Sequence, residues 1–340
     1  MDYNKLHINN ILKDMEEDKF QAYILTQFTN VEYISNYKPT SFAFCLIKEE
    51  PIIYVSKMDM EIARLNSSIE VKEFESFSKM VDELKSEGIK SLAIEPSLEF
   101  NIYEKFMNDF SINSKTYVDK QRSIKTPEEI DNIEKATNIA QKAFLELDIL
   151  NRKDKETQIA FDLVRMMIEN GASKESFDTI VTSGTNSSLP HAVPEAKKLE
   201  NPILIDWGAK YNGYCSDNTR TMVYKESHQE IWDIVAEAHD EAIKAIKPGL
   251  KCCEIDKVAR DIISEYGYGD NFIHSTGHSL GLDIHESPTF SFRDETIVEE
   301  GMVITVEPGI YLEGDFGVRL EDTIAISKKA KIIGDLPLKI

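Results

Sequence analysis

Cysteine is scarce in this sequence, and its placement argues against two kinds of structure. The 340 residues contain four cysteines, at Cys45, Cys215, Cys252 and Cys253. No CxxC pair is present, which excludes a zinc-ribbon site. With so few cysteines, two of them adjacent, a reduced cytosolic setting is the simpler interpretation than a disulfide framework.

Positive charge is also in short supply. Lysine and arginine number 39 against 60 aspartates and glutamates, which gives a formal net charge of −21. Nucleic acids and anionic membranes both bind basic surfaces, so we expect neither as a partner. The excess of carboxylates suits a cytoplasmic protein, and it also suits the attraction of divalent cations.

Long hydrophobic runs are missing as well. No stretch reaches the roughly 18 apolar residues that span a bilayer, so we expect no transmembrane helix. The first residues show neither the cationic start nor the apolar core of a signal peptide. Apolar residues nevertheless make up 41% of the chain, which is enough for two hydrophobic cores.

The pattern of elements divides the chain into two parts. Residues 1–120 alternate short apolar strands with amphipathic helices, which predicts an α/β domain. Near the boundary, Thr126 and Glu129 flank Pro127 in the arrangement of a helix start with a capping box. Residues 121–340 then show two helices followed by a hairpin, twice. This weak repeat predicts two related halves with a site between them.

Two aspartates lie in a predicted β-hairpin. The dipeptide at Asn212 and Gly213, between two strand-like runs, is a strong hairpin signal. Counting back from that turn places Gly208 opposite Asp217, with Asp206 two positions away on the same face. The two aspartates would then be diagonal neighbours that can hold a cation between them. An exposed acidic pair on a solvated face is the alternative, and the residue pattern alone does not decide between them.

Three of the seven histidines fall within twelve residues, at His274, His278 and His285. The first two have the spacing of a helical zinc site, but Gly277 and Gly281 disfavour a helix there. A single histidine is usually a satisfied core or surface residue. A cluster among glycines favours a functional site.

Two more acids interrupt apolar strands in the second half. Glu307 ends the run Met302–Val306, because Pro308 cannot continue a ladder. Glu321 lies inside the run Val318–Ile326. The second half therefore supplies acids on a hairpin, as the first half does.

These segments together resemble the pita-bread metallopeptidases, which include Xaa-Pro aminopeptidases, Xaa-Pro dipeptidases (prolidases) and methionine aminopeptidases. The resemblance covers residues 121–340 through six motifs in the family's order: Leu189-Pro-His-Ala, Ile205-Asp-Trp-Gly-Ala, Tyr214-Cys-Ser-Asp-Asn-Thr-Arg-Thr, Thr276-Gly-His-Ser-Leu-Gly-Leu-Asp-Ile-His-Glu, Val306-Glu-Pro-Gly-Ile-Tyr and Val318-Arg-Leu-Glu-Asp-Thr. Residues 1–120, with Thr29-Asn-Val-Glu-Tyr-Ile-Ser-Asn, resemble the creatinase/prolidase N-terminal domain, which favours a proline peptidase. The implied fold is an α+β pita-bread catalytic domain preceded by an N-terminal α/β domain of the creatinase/prolidase type.

The resemblance implies two divalent metal ions bound by Asp206, Asp217, His278, Glu307 and Glu321. Asp217 and Glu321 would bridge both ions, and Asp206 would bind one of them. His278 and Glu307 would bind the other. Mn²⁺ is the first expectation, and Co²⁺, Zn²⁺ and Fe²⁺ also suit such mixed ligands. A metal-bridging hydroxide would attack the Xaa-Pro bond, and Glu307 would carry its proton to the leaving amine.

The resemblance also implies roles for residues around the metals. His191 and His285 would donate hydrogen bonds to the substrate and to the tetrahedral intermediate. Tyr311 and Arg319 would orient a metal-binding aspartate. His274 is expected to be structural or to line the substrate site.

The implied activity is that of a metallo-exopeptidase, either an Xaa-Pro aminopeptidase or a dipeptidase. Its substrate would be a small peptide with proline in second position, and the family habit implies a homodimer. Two positions depart from the family. Thr289 stands where prolidases carry an arginine thought to grip the substrate carboxylate, and Arg293 is out of register, which weakens the dipeptidase interpretation. Asn218 replaces a usual apolar residue, where it could bond a metal ligand or face solvent.

Two other interpretations stay open. One is a catalytically inactive pita-bread fold that serves as a binding module. The other is a creatinase-type hydrolase of non-peptide C–N bonds, which acts without metal. The intact set of ligands speaks against both.

Overall fold

The computed structural model describes residues 3–149, 152 and 154–340. The chain forms two compact units, Met1–Arg122 and Ser123–Ile340. None of the helices in these described ranges combines the length and the apolarity needed to cross a bilayer.

The first unit is built on one mixed sheet. Its strands are β1 (Ala22–Leu25), β2 (Ala43–Ile47), β3 (Ile52–Val55), β4 (Glu70–Glu73), β5 (Ser91–Ile94) and β6 (Ser111–Ser114). Its helices are α1 (Tyr3–Glu17), α2 (Phe28–Ser35), α3 (Met60–Asn66), α4 (Phe77–Ser86), α5 (Phe100–Phe106) and α6 (Tyr117–Ser123), with a 3₁₀ turn at Lys57–Asp59. The strand order is β4-β3-β2-β1-β5-β6. Strands β1 to β3 are buried throughout, which explains their unbroken apolar sequence. The predicted α/β fold is confirmed.

The second unit places a pair of helices ahead of a group of strands, and then repeats this order. The first half contains α7 (Pro127–Glu146), α8 (Glu156–Glu169), β7 (Lys174–Glu175), β8 (Ile180–Ser183), β9 (Ile203–Trp207), β10 (Ala209–Tyr211), β11 (Tyr214–Cys215) and β12 (Asn218–Met222), with a 3₁₀ turn at Gly184–Ser188. The second half contains α9 (Glu226–Ala245), α10 (Cys252–Glu265), β13 (Gly277–Ser279), β14 (Glu286–Phe290), β15 (Val303–Val306), β16 (Gly309–Leu312), β17 (Phe316–Arg319), β18 (Asp322–Ile326) and β19 (Ala330–Ile332), with a 3₁₀ turn at Gly269–Asn271. The predicted repeat of helix pair and hairpin is confirmed.

Each helix pair covers its own sheet. In the first half, Trp207 of β9 stacks on Phe144 of α7 with ring centroids 4.4 Å apart, and its indole N–H donates to Ala140 O at 2.9 Å. The sheet beneath has the order β12-β9-β8. In the second half, α9 and α10 pack on a sheet of order β14-β13-β15-β18-β19 through a continuous apolar core. The polar side chains of the site are therefore supported from behind by packed helices.

Helix α7 begins where the sequence predicted. Thr126 Oγ1 accepts from Glu129 N at 3.3 Å, and Thr126 N donates to Glu129 Oε2 at 2.7 Å. These two bonds form the capping box.

The acidic hairpin has the predicted register. Tyr211 pairs with Tyr214 beside the turn, and Thr219 pairs with Asp206 further along. The two pairs have the same register, and in that register Gly208 falls opposite Asp217. The ladder is interrupted at that point, and β9–β12 and β10–β11 belong to separate sheets.

A single bridge joins the acidic strands of the two halves. Thr219, in β12, pairs with Glu321, which precedes β18, and Glu321 N donates to Thr219 O at 3.0 Å. This bridge brings the carboxylates of one half against those of the other. The bridge therefore fixes where the acidic side chains of the two halves meet.

Candidate metal centre

Three side chains converge where the halves meet, one from β13 and two from residues that immediately precede β12 and β18. Asp217, His278 and Glu321 each offer a ligand atom, and these atoms lie within 4.8 Å of one another. His278 Nε2 also lies 3.4 Å from Glu307 Oε1, which follows β15. Ligands that share one cation are separated by such distances, because each lies about 2.0–2.2 Å from the ion.

Several buried carboxylate oxygens at this point lack a hydrogen-bond partner among the described residues. They are Asp206 Oδ1, Asp217 Oδ1 and Glu321 Oε1. An unpartnered carboxylate oxygen that is buried needs a cation or a proton. The donor set of carboxylates with one imidazole therefore fits divalent metal ions.

The raised pKa values of these carboxyl groups also indicate that the site requires cations or protons. Burial, followed by the charges of Glu321 and Asp206, raises the pKa of Asp217 well above its ordinary value. Burial and the charge of Glu307 do the same to the pKa of Glu321. Burial raises the pKa of Glu307 from 4.5 to about 8, although Arg319 opposes the shift. Divalent cations would replace the protons that these groups otherwise hold.

The hydrogen bonding of His278 leaves one ring nitrogen free for a metal. Nδ1 lies 3.1 Å from the carbonyl oxygen of Ser279, which can only accept. Nδ1 therefore carries the proton, and Nε2 presents its lone pair toward Asp217 and Glu307. Burial lowers the pKa of His278, so the ring is neutral, as a ligand must be.

Two threonines hold the ligand carboxylates in place. Thr219 Oγ1 donates to Glu321 Oε2 at 2.8 Å. Thr305 Oγ1 donates to Glu307 Oε1 at 3.3 Å and also accepts from His278 N at 3.0 Å. Neither residue was predicted from the sequence. Each lies two positions from an acid along a strand, so the alternation of side chains could have identified them.

Arg319 holds Asp206 through a short chain of hydrogen bonds. Its Nη2 donates to Asp206 Oδ2 at 2.6 Å, and its Nη1 donates to the Tyr311 hydroxyl at 2.7 Å. The Tyr311 hydroxyl lies 2.9 Å from His274 Nε2, and His274 Nδ1 lies 2.8 Å from the carbonyl oxygen of Ser275. Nδ1 therefore donates, and Nε2 accepts from Tyr311. Burial lowers the pKa of His274 to about 3, so His274 acts as a neutral acceptor at the end of the chain.

His191 and His285 lie at the exposed rim of the centre. The His285 and His278 rings meet edge to face, with centroids 4.5 Å apart. Partial burial of the ring lowers the pKa of His285, and the nearby His278 and His191 add to the shift. The neighbour of His191, Pro190, accepts from Arg319 Nη1 at 3.4 Å. The structure thus brings all nine predicted site residues to one place.

The structure shows the contacts of Asn218 and Thr289, the two residues that depart from the family. Asn218 is buried and donates its side-chain amide to the carbonyl oxygen of Asp217, so it does not face solvent. Thr289 pairs with His278 across β13 and β14, and Asp294 accepts from both its N–H and its hydroxyl. Arg293 is exposed and lies over the ring of Phe292.

Comparison with known proteins agrees with the geometry. A model of metallopeptidase family M24 matches residues 131–328, and one of the creatinase/prolidase N-terminal domain matches residues 7–124. The chain is 41% identical over 339 residues to an Xaa-Pro dipeptidase of Pyrococcus horikoshii, with 96% of each chain covered.

Solved structures give the same result. A prolidase from Pyrococcus horikoshii OT3 superposes with a TM-score of 0.92 at 40% identity, covering 97% of this chain and 98% of that one. An X-Pro aminopeptidase from Thermotoga maritima MSB8 reaches 0.89 at 33% identity, with 98% of each chain covered. The predicted pita-bread fold is confirmed, and the chain belongs to metallopeptidase family M24, with a creatinase/prolidase N-terminal domain preceding the peptidase domain.

Proposed function

We propose that this protein is a metallo-exopeptidase that uses two divalent metal ions to cleave the Xaa-Pro bond of small peptides. The observation that carries the proposal is the convergence of Asp217, His278 and Glu321 around buried oxygens that lack partners. The similarity to an Xaa-Pro dipeptidase over nearly the whole chain supports the choice of substrate.

The hydrogen bonds leave one oxygen unpartnered on each of two ligand carboxylates, and the family resemblance supports a particular division of the ligands between the ions. Arg319 occupies Asp206 Oδ2, which leaves Oδ1 for one ion. Thr219 occupies Glu321 Oε2, which leaves Oε1 available. We assign Asp217 and Glu321 to both ions and Asp206 to one. His278 and Glu307 are assigned to the other ion.

The metals and the protein would divide the chemistry between them. Bound divalent cations would lower the pKa of a water molecule and polarise the scissile carbonyl. Glu307 would accept a proton from the attacking water and pass it to the leaving amine. His191 and His285 would donate hydrogen bonds to the substrate from the rim.

Several finer features belong to the same proposal. Mn²⁺ is the first candidate for the metal, with Co²⁺, Zn²⁺ and Fe²⁺ as alternatives. The protein would act in the cytoplasm as a homodimer. Residues 1–120 and 121–340 would be separate domains, which the compact units and the two family matches support. The binding-module and creatinase-type alternatives gain no support from the converging ligand set.

Peptide length is the open point of specificity. The name of the Pyrococcus horikoshii relative favours a dipeptide. Thr289 favours longer peptides. Its hydroxyl donates to Asp294, and an uncharged side chain cannot form an ion pair with a terminal carboxylate.

One assay tests the activity and the peptide length together. Metal-stripped protein is supplied with Mn²⁺, Co²⁺, Zn²⁺ or Fe²⁺ and given an Xaa-Pro dipeptide, an Xaa-Pro tripeptide and an Xaa-Ala dipeptide. We expect metal-dependent hydrolysis of the two proline peptides only. Protein that remains inert with every metal contradicts the proposal, and equal cleavage of the alanine peptide contradicts the proline preference.

A further inference from the structure

A buried ion pair lies beside the loop that carries His285. The side chains of Lys125 and Glu286 are 1% and 6% exposed, and Lys125 Nζ lies 3.2 Å from Glu286 Oε2. The same Nζ donates to Ser279 Oγ at 2.8 Å. A buried ion pair contributes little net stability compared with an apolar replacement, so stability alone does not account for its presence.

Lys125 is held firmly from its own side. Its backbone N–H donates to the carbonyl oxygen of Gly301 at 2.8 Å. The next residue, Thr126, forms the capping box with Glu129 that begins α7. The ammonium group therefore projects from a short segment fixed at both ends.

Glu286 organises the loop between β13 and β14. Its Oε1 accepts from Asp283 N at 3.1 Å, and Gly281 N donates to Asp283 O at 3.0 Å. A Cβ at Gly281 would lie only 2.7 and 2.8 Å from the two Glu286 oxygens. The loop thus folds tightly around the carboxylate that Lys125 binds.

Ser279 and Glu286, both bound by the Lys125 ammonium group, are the chain neighbours of two histidines at the candidate centre. Ser279 follows His278, and Glu286 follows His285. The ladder shifts register between His278 and Ser279, so that Ser279 pairs with Glu286. One ammonium group therefore joins the segments that carry the two rings, whose centroids are 4.5 Å apart.

We propose that Lys125 is a positioning residue that joins Ser279 to Glu286 and thereby sets where His285 stands relative to His278. Lys125 acts through His285 and does not touch the substrate. The proposal rests on the proposed function in one respect, which is the role of His285 in hydrolysis. Its structural part concerns the loop alone and does not depend on activity.

A double-mutant cycle tests the route through His285. We expect Lys125→Met to lower kcat about 10- to 100-fold, as loss of a residue that orients a functional group does, with KM and metal content nearly unchanged. In a His285→Ala background, the same substitution should change kcat by less than about twofold, because the group it positions is gone. An undiminished fall in that background overturns the proposal.

Hydrogen exchange supplies a readout without activity. In the metal-free protein, Lys125→Met should speed exchange of the Asp283 amide, which donates to Glu286, and leave β9 (Ile203–Trp207) unchanged. Unchanged exchange at Asp283 overturns the proposal. If wild-type protein hydrolyses no Xaa-Pro peptide, the proposed function fails, and exchange still decides whether Lys125 orders the loop.

Two further variants separate positioning from folding and from charge. Lys125→Met combined with Glu286→Gln removes the buried carboxylate charge together with the ammonium charge, so we expect it to recover stability while kcat stays low. Recovery of wild-type kcat in this double variant overturns the proposal. Lys331→Met is the matched control, because it removes the same charge from an exposed pair with Glu134, with side chains 68% and 41% exposed. It should match wild type in kcat and in exchange at Asp283.

Discussion

At the scale of single residues, three ligands of the candidate centre have one oxygen or nitrogen engaged and another left for a metal. Thr219 engages Glu321, Arg319 engages Asp206, and the Ser279 carbonyl engages His278. Such partners fix the direction of each ligand before a metal arrives, which lowers the cost of binding.

Asp217 is the residue on which the centre most depends. We expect Asp217→Asn to lose metal and to reduce hydrolysis to background. The metal-free variant should also melt at a higher temperature than metal-free wild type near pH 8, because one of several repelling buried carboxylates is gone. Metal analysis, activity and thermal melts would check this. Wild-type activity in the variant would refute the site.

His285 is predicted to serve the reaction and not the metals. We expect His285→Ala to keep its metal content and to lower kcat about 100-fold, the range seen when one donor to a developing negative charge is removed. Single-turnover rates and metal analysis on the same sample would measure this. A matching loss of metal and rate would instead make His285 a ligand.

At the scale of elements, the hairpin shows how much the sequence can predict. The turn residues Asn212 and Gly213 have φ of 47° and 86°, as a tight hairpin turn requires, and the register follows from them. The capping box of α7 was predictable for the same reason, because both features depend on neighbouring residues.

Features that depend on distant residues were not predictable. The register shift beside His278 was not expected from the sequence, because it belongs to the packing of a whole loop around Glu286. Nothing in the local sequence indicated that Arg220 would be buried. It donates to Asp322 and to the Leu336 carbonyl, more than 100 residues away.

Gly208 allows the close approach of the two strands at the break in the ladder. A Cβ there would lie 1.9 Å from the Ser216 carbonyl oxygen. We expect Gly208→Ala to cost about 3 kcal/mol of folding stability, since backbone must move, and to weaken metal binding by displacing Asp217.

Denaturant melts and metal titration would measure the effect of Gly208→Ala. Gly249→Ala is a control with open space, where only the φ of +96° opposes a side chain, at about 1–2 kcal/mol. Equal costs in the two variants would show that the close approach at Gly208 is unimportant.

At the scale of the whole molecule, the buried carboxylates link stability to pH and to metal. Their pKa values are raised in the folded state, so the folded protein binds more protons than the unfolded chain. Stability from such groups is fully present below the unfolded pKa and is lost as pH rises through the folded pKa. For Glu307 that window runs from 4.5 to about 8.

The metal-free protein should therefore melt several degrees lower at about pH 8 than at about pH 5. Added divalent cation should abolish the difference, because it replaces the protons. Calorimetric melts across this range, with and without metal, would measure it. Metal-free protein that is more stable at the higher pH would contradict the clustering of these carboxyl groups.

The bridge between Thr219 and Glu321 also sets the order of events during synthesis. The two residues are 102 positions apart, so Asp206 and Asp217 leave the ribosome well before Glu321. A cation captured early would have few oxygens around it and would exchange freely. Tight capture would have to wait until the strand after Glu321 docks, so metal selection would follow the synthesis of both halves of the site, in equilibrium with the free ions of the cell.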